Sequence, residues 1–164
     1  MKKNIVLIGM PGAGKSTVGV VLAKKKGYRF VDTDLMIQDQ ENRLLHEIIE
    51  EDGVDGFLAI ENRVNASLDM SSSVVATGGS VIYSEEAMEH LGELGIICYL
   101  RLSYVTIKER LGDLNERGVT VREGQTLLDL YEERIPLYEK YAELTVECEG
   151  KSIREIVSEI SAKC

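Results

Sequence analysis

Gly9-Met10-Pro11-Gly12-Ala13-Gly14-Lys15-Ser16-Thr17 satisfies the spacing GxxxxGK[ST], directly after the apolar run Ile5 to Ile8 and at the opening of a helical pattern. At roughly 7% glycine usage, two fixed glycines match by chance about once in 200 windows, and the Lys-Ser pair lowers that further. The residue types suit phosphate binding. Glycines let main-chain N–H groups turn inward around phosphate oxygens, a helix N-terminus adds positive potential, and Lys15 supplies a mobile full charge. Ser16 has a short hydroxyl suited to a Mg2+ ion that bridges two phosphates and keeps most of its waters, and Thr17 lies one residue deeper, toward the α-phosphate. A nucleotide loop is therefore expected from Gly12, Ala13, Gly14, Lys15, Ser16 and Thr17. The dinucleotide pattern GxGxxG fits poorly because its last glycine is missing. Neither DxxG nor NKxD occurs in the chain, so ATP is expected in preference to GTP.

A second constellation is Asp32-Thr33-Asp34, at the end of the next β-rich run. In an open parallel sheet ligands collect outside the carboxyl ends of the strands, which places both acids near the phosphates. Alternate residues of an extended segment point the same way. Asp32 can then serve the metal through bound water, while Asp34 reaches a substrate hydroxyl as positioner or base. The competing reading of Asp34 is a cap on the following helix. Gly78-Gly79 follows the apolar run Val74 to Thr77, where glycine permits close approach of the backbone to a ligand or simply a turn. Arg110 and Arg117 flank the start of a polar stretch, and Arg134 lies in Arg134-Ile135-Pro136-Leu137-Tyr138. Single arginines of this kind are most often solvated surface. His46 and His90 are isolated and read as helix-surface residues, and no Ser/His/Asp or Cys/His arrangement stands out.

Short β-rich runs alternate with longer stretches of helical spacing, which indicates an α/β class with a parallel sheet covered by helices. Five strands are predicted, over Asn4 to Gly9, Tyr28 to Asp32, Ser73 to Thr77, Ile96 to Leu100 and Leu144 to Glu147. Helical patterns open near Lys15, Asp34, Leu44, Val54, Glu85, Val105, Gln125 and Ile153. Ser152 followed by Glu155 is a capping-box signature for the last of these. The polar, Gly-containing stretch Gly112 to Gly124 has the makings of a surface loop that acts as a lid.

The chain has 164 residues, of which 44% are hydrophobic and 29% charged, the content of one folded domain spanning 1–164. Its formal charge of −9 gives no footprint for generic binding to nucleic acid or an anionic membrane, so phosphate must be held locally. Apolar runs are far shorter than a membrane span or a signal-peptide core, and Cys98, Cys148 and Cys164 form neither a zinc nor a disulfide framework. A cytoplasmic monomer acting on a small molecule is expected.

Taken together, the loop Gly9 to Thr17, Asp32-Thr33-Asp34, Gly53 with Phe57 and Glu61, Gly78-Gly79, Arg110 with Arg117, and Arg134 to Tyr138 resemble the shikimate kinase family in type and order, from the N-terminus to about Tyr141. The resemblance implies an NMP-kinase-like P-loop fold in three layers. It has a central five-stranded parallel sheet, helices on both faces, a substrate-binding region around residues 33–61 and a lid around 112–124. It further implies ATP-dependent phosphorylation of shikimate to shikimate 3-phosphate, a step of chorismate and aromatic amino acid biosynthesis. Lys15 and Arg117 would neutralise the transferring phosphoryl group, with Asp34 as the third catalytic residue. Ser16 and Asp32 would serve Mg2+, Arg110 would lie against the adenine, and Asp34, Gly79 and Arg134 would hold the acceptor. Three positions depart from the family pattern. Leu58 replaces the arginine of FRxxE, Ser80 replaces the third glycine of GGG, and Gly118-Val119-Thr120 follows Arg117 in place of Pro-Leu-Leu. The alternatives are a kinase of another hydroxylated metabolite or a nucleotide, and a nucleotide-binding regulatory domain without turnover.

Overall fold

A computed structural model describes residues 3–112 and 119–164. Its strands are β1 (Asn4–Ile8), β2 (Arg29–Asp32), β3 (Ser73–Ala76), β4 (Gly95–Arg101) and β5 (Leu144–Glu147), each within two residues of its expected bounds. The helices are α1 (Lys15–Lys26), α2 (Thr33–Glu41), α3 (Leu45–Ala66), α4 (Glu85–Leu94), α5 (Tyr104–Leu111), α6 (Leu127–Tyr141) and α7 (Ile153–Lys163). The two helical patterns expected from Leu44 and Val54 are the two halves of α3, which kinks at Gly53 (φ 77°, ψ 174°). Ser152 caps α7 as expected, its hydroxyl accepting from the Glu155 amide while the Glu155 carboxylate accepts from the Ser152 amide.

All pairings are parallel, in the order β2-β3-β1-β4-β5. β1 and β3 are buried along their whole length, which is why their sequences are continuous apolar runs without alternation. Right-handed crossovers then fix where the helices lie. The step from β1 to β2 runs one way along the sheet and carries α1 to one face, while the steps into β3, β4 and β5 run the other way and carry their helices to the opposite face. In agreement, α1 packs against α7, whereas α3 packs on α4, and both α4 and α6 reach β4 and the short 3-10 turn Val81–Tyr83.

This layout creates the site. Adjacent strands β1 and β3 send their chains to opposite faces, so a crevice opens between the loop after β1 and the loop after β3, at the carboxyl edge of the sheet. The first loop is Gly9 to Gly14 and the second is Thr77-Gly78-Gly79. Thr77 ties them together, its amide donating to Leu7 O at 3.2 Å and its hydroxyl to the same oxygen at 2.7 Å.

Candidate active site

The loop between β1 and α1 needs left-handed backbone at Gly12 (φ 81°) and Gly14 (φ 91°), a conformation that side chains with Cβ rarely adopt. Lys15 folds back over it, 8% exposed, and its Nζ donates to Gly9 O at 2.6 Å and Met10 O at 2.9 Å. The floor of the crevice therefore carries an ammonium group held inside a ring of main chain. Ser16 and Thr17, exposed on the first turn of α1, stand at its rim.

At the end of β2 the two acids divide their work differently from the simplest expectation. Asp32, not Asp34, is the cap of α2: its Oδ1 accepts from the amides of Asp34 (3.0 Å) and Leu35 (3.2 Å). Its other oxygen accepts from the Ser16 hydroxyl at 2.9 Å. Asp34 is thereby free of the capping role and lines the crevice.

From the far side, α6 contributes Leu130, Arg134 and Tyr138 on one buried face at successive i, i+4 positions. Arg134, expected at the acceptor, is not the solvated surface residue that a lone arginine most often is, for its side chain is 1% exposed. Its Nε donates to Tyr83 Oη (3.3 Å), its Nη2 to Thr120 Oγ1 (2.8 Å) and Thr120 O (3.1 Å), and its guanidinium stands 5.3 Å from the Tyr83 ring centroid. Tyr138 Oη donates to Gly79 O at 2.6 Å and so clamps the loop after β3. That loop must come close: a Cβ on Gly79 would lie 2.7 Å from Pro11 Cδ and 3.0 Å from Arg134 Nη1. On Gly78 it would lie 2.6 Å from Asp34 Oδ1 and 2.8 Å from Glu61 Oε2.

These pieces enclose one cavity of about 280 Å³ that runs from the glycine loop past Asp34 to Arg134. Of the residues expected to act, Gly12, Gly14, Lys15, Ser16, Thr17, Asp34, Gly79 and Arg134 stand on its wall. Asp32 touches it through Ser16. Arg110 flanks the glycine loop, its Nη1 donating to Gly12 O at 3.1 Å. Ala13, expected in the nucleotide loop, buries its side chain in the core, and its amide donates to Met10 O at 3.0 Å. Arg117 and Gly118 lie outside the described residues. His46 is a partly exposed helix residue near Glu50, but His90 is more than a surface residue, its Nε2 lying 2.5 Å from Leu68 O.

Glu61 belongs to this wall and was not among the site residues expected from sequence. It is 1% exposed, and the Ser80 hydroxyl donates to its Oε1 at 2.6 Å. A signal was present: Phe57, Glu61 and Val64 recur at helical spacing, and an acid within an apolar stripe is costly unless it has a task or a partner. Burial pushes its carboxyl up to about 8, with Ser80 opposing the shift. Burial, and then the neighbouring Asp32, also raise Asp34, while burial lowers Lys15 against the pull of Asp34.

The sign of the stability effect follows. Between its ordinary value of 4.5 and about 8, Glu61 binds more protons in the folded chain than in the unfolded chain. Its contribution is therefore fully present below 4.5 and is lost as pH rises toward 8. Glu61→Gln keeps an oxygen for Ser80 and removes the titration. Urea unfolding at pH 5, 6.5 and 8 should show wild type losing stability relative to this variant, by on the order of a few kcal/mol across the window. Parallel pH curves for the two proteins would refute the assignment.

A shikimate kinase family model matches residues 11–164. A shikimate kinase of Persephonella marina is 36% identical over 159 residues, covering 96% of each chain. The chain belongs to the shikimate kinase family. A shikimate kinase of Thermodesulfovibrio yellowstonii is 37% identical over 161 residues, 96% of this chain and 92% of that one. Among solved structures, the shikimate kinase of Acinetobacter baumannii in complex with shikimate superposes with a TM-score of 0.89 at 32% identity, over 99% of this chain and 93% of that one. The α/β P-loop kinase fold implied by the motifs is thus the fold of this chain.

Within the family, the departure at position 58 has a visible setting. Leu58 is half-buried in a small apolar cluster with Leu45, Ile49 and Ile60, packed on Ile37, Ile48 and Phe57. Among the described residues, the arginines nearest in sequence and Arg122 are engaged elsewhere. Arg43 is engaged by Glu41, Glu51 and Asp52, Arg63 by Glu41, and Arg122 by Asp55. Among the described residues, the guanidinium on the cavity wall is that of Arg134.

Proposed function

We propose that this chain transfers the terminal phosphoryl group of ATP to the 3-hydroxyl of shikimate. The observation that carries the reading is the single cavity in which the glycine loop with Lys15 faces Asp34 and Arg134. One end suits a polyphosphate and the other a hydroxylated acid, within one continuous cavity. The relatives' shared name and the bound shikimate in the Acinetobacter structure support the acceptor.

In this mechanism main-chain amides of Gly12, Gly14 and Lys15 cradle the phosphates, and Lys15 follows the charge that develops on the transferring group. Arg117 adds positive charge there, as the resemblance implies, and Arg110 lies against the adenine. Asp34 orients the acceptor hydroxyl and takes its proton as its oxygen bonds to the γ-phosphorus and ADP leaves. Arg134 and Gly79 hold the acceptor. Ser16 Oγ and Asp32 Oδ2 set a hydroxyl beside a carboxylate at the loop, an oxygen donor pair suited to Mg2+, Ser16 directly and Asp32 through water. When bound, Mg2+ supplies positive charge between the phosphates. Residues 33–61 serve as the acceptor region, supplying Asp34, Phe57 and Glu61 to the wall. Residues 112–124 serve as the lid, and Val119 and Thr120 support this because they stand on the same wall.

The cavity is walled by residues of this chain, and a monomeric enzyme is proposed. The three free cysteines suit a reducing cytoplasm. No helix among the described residues is long and apolar enough to cross a membrane.

A coupled ADP-release assay with ATP, Mg2+ and shikimate tests the proposal, with a panel of other hydroxy acids, sugars and nucleotides as competitors. Saturable release that requires shikimate is the expected result. Turnover with another acceptor alone, or nucleotide binding without ADP formation, would reject it.

Leu58→Arg tests the acid end of the cavity. Position 58 lies one turn from Glu61 on α3, and the family resemblance implies that a guanidinium there would meet the acceptor's acid group. One added charge-assisted hydrogen bond is worth roughly 1.5–3 kcal/mol. The KM for shikimate should fall by about 10- to 150-fold with kcat little changed. An unchanged or higher KM would count against a missing acid contact.

A further inference from the structure

The guanidinium of Arg134 is held by several contacts, one of them from a position where this chain departs from the family pattern. Its Nη2 edge is taken by Thr120 Oγ1 and O, and its Nε by Tyr83 Oη. Tyr138 adds a further side-chain hydrogen bond to the guanidinium, and Nη1 is the edge beside Gly79, with Arg134 on the cavity wall. Thr120 stands at the third of the positions where this chain departs from Pro-Leu-Leu, a leucine that has no hydroxyl to offer. It is 6% exposed, lines the same cavity, and its hydroxyl accepts from Arg134 while keeping a proton to donate. An arginine has several rotatable bonds, and binding one carboxylate with one guanidinium is weak unless that fork is already aimed.

We infer that Thr120 is a specificity-determining residue for the acceptor's carboxylate: it locks Arg134 with Nη1 toward the cavity and presents its own O–H beside it, a neutral contact that recovers part of what is lost at Leu58. The inference rests on the shikimate reading above and adds to it the residue that selects the acid. The pairing is chemically complete, with Arg134 donating one hydrogen bond to the carboxylate and Thr120 the other, and no bond made or broken.

The test compares wild type, Thr120→Val and Thr120→Ser with shikimate and with its primary carboxamide, at saturating ATP and Mg2+. Valine keeps the shape and removes the hydroxyl, whereas serine keeps the hydroxyl. Thr120→Val should raise KM for shikimate about tenfold while kcat and the KM for the carboxamide stay within about twofold. Thr120→Ser should restore the acid preference. Equal losses on acid and amide, a change confined to kcat, or no change in Thr120→Val would overturn the role of Thr120 and leave the shikimate reading intact. Failure of wild type to phosphorylate shikimate would overturn both. If the valine variant does not fold, as read from its thermal melt, Thr120→Ala supplies the same comparison.

Discussion

Lys15→Met is expected to lower kcat by about 10³-fold or more. Methionine occupies similar volume without a charge, so the loop keeps its bulk and loses the ammonium. Two consequences separate. The carbonyls of Gly9 and Met10, which Lys15 Nζ now satisfies at 2.6 and 2.9 Å, lose their donor, and this weakens nucleotide binding modestly. The main loss falls on the transition state, where charge spreads over the transferring group and a buried cation counts for more than it would in water. Calorimetric titration with ATP alongside single-turnover kinetics distinguishes the two: binding should survive within an order of magnitude while the chemical rate collapses. A variant that retained more than a tenth of the wild-type rate would show that Lys15 is only a structural tie within the loop.

Asp34→Asn is the second large effect, a fall in kcat of about 10²- to 10⁴-fold. Burial and the adjacent Asp32 raise the Asp34 carboxyl above its ordinary value, which brings it closer to a poised base at neutral pH. Asparagine preserves shape and a hydrogen-bonding oxygen but cannot take the hydroxyl proton. The wild-type rate should therefore fall as pH drops through the raised value, because protonated Asp34 cannot accept the proton. That acidic limb should vanish from the residual activity of the variant. A rise in KM with an intact kcat would assign Asp34 to holding the acceptor only. Asp32 serves as an internal contrast, since its removal would also uncap α2 and cost stability of about 1 kcal/mol.

Much of this site could be read from sequence because its signals are local. The glycine pattern, the strand before it and the helix after it occupy one continuous stretch, and the turn they dictate depends on neighbours a few residues away. The same holds for the strands and most helix starts, set by apolar period and by caps such as Ser152. Resemblance added the roles of distant residues, and Asp34, Gly79 and Arg134 indeed share a wall with Lys15. Burial is what the residues alone left open. Arg134 resembles any surface arginine until α6 turns it inward beside Thr120, and Ala13 sits in the glycine motif with its side chain packed into the core.

The chain by itself determined an α/β class, a glycine loop between the first strand and the first helix, and the identity of two acids after the second strand, because backbone conformation and helical or strand period are short-range properties. Only the tertiary structure decided that β3 lies between β2 and β1, that Asp32 caps while Asp34 is left to face the cavity, and that Glu61 meets Ser80. Those outcomes depend on groups brought together across the fold, such as Tyr138 on Gly79 at a separation of 59 residues. Desolvation and hydrogen-bond pairing arise only once the layers have closed, and no local pattern records which partners will then be in reach.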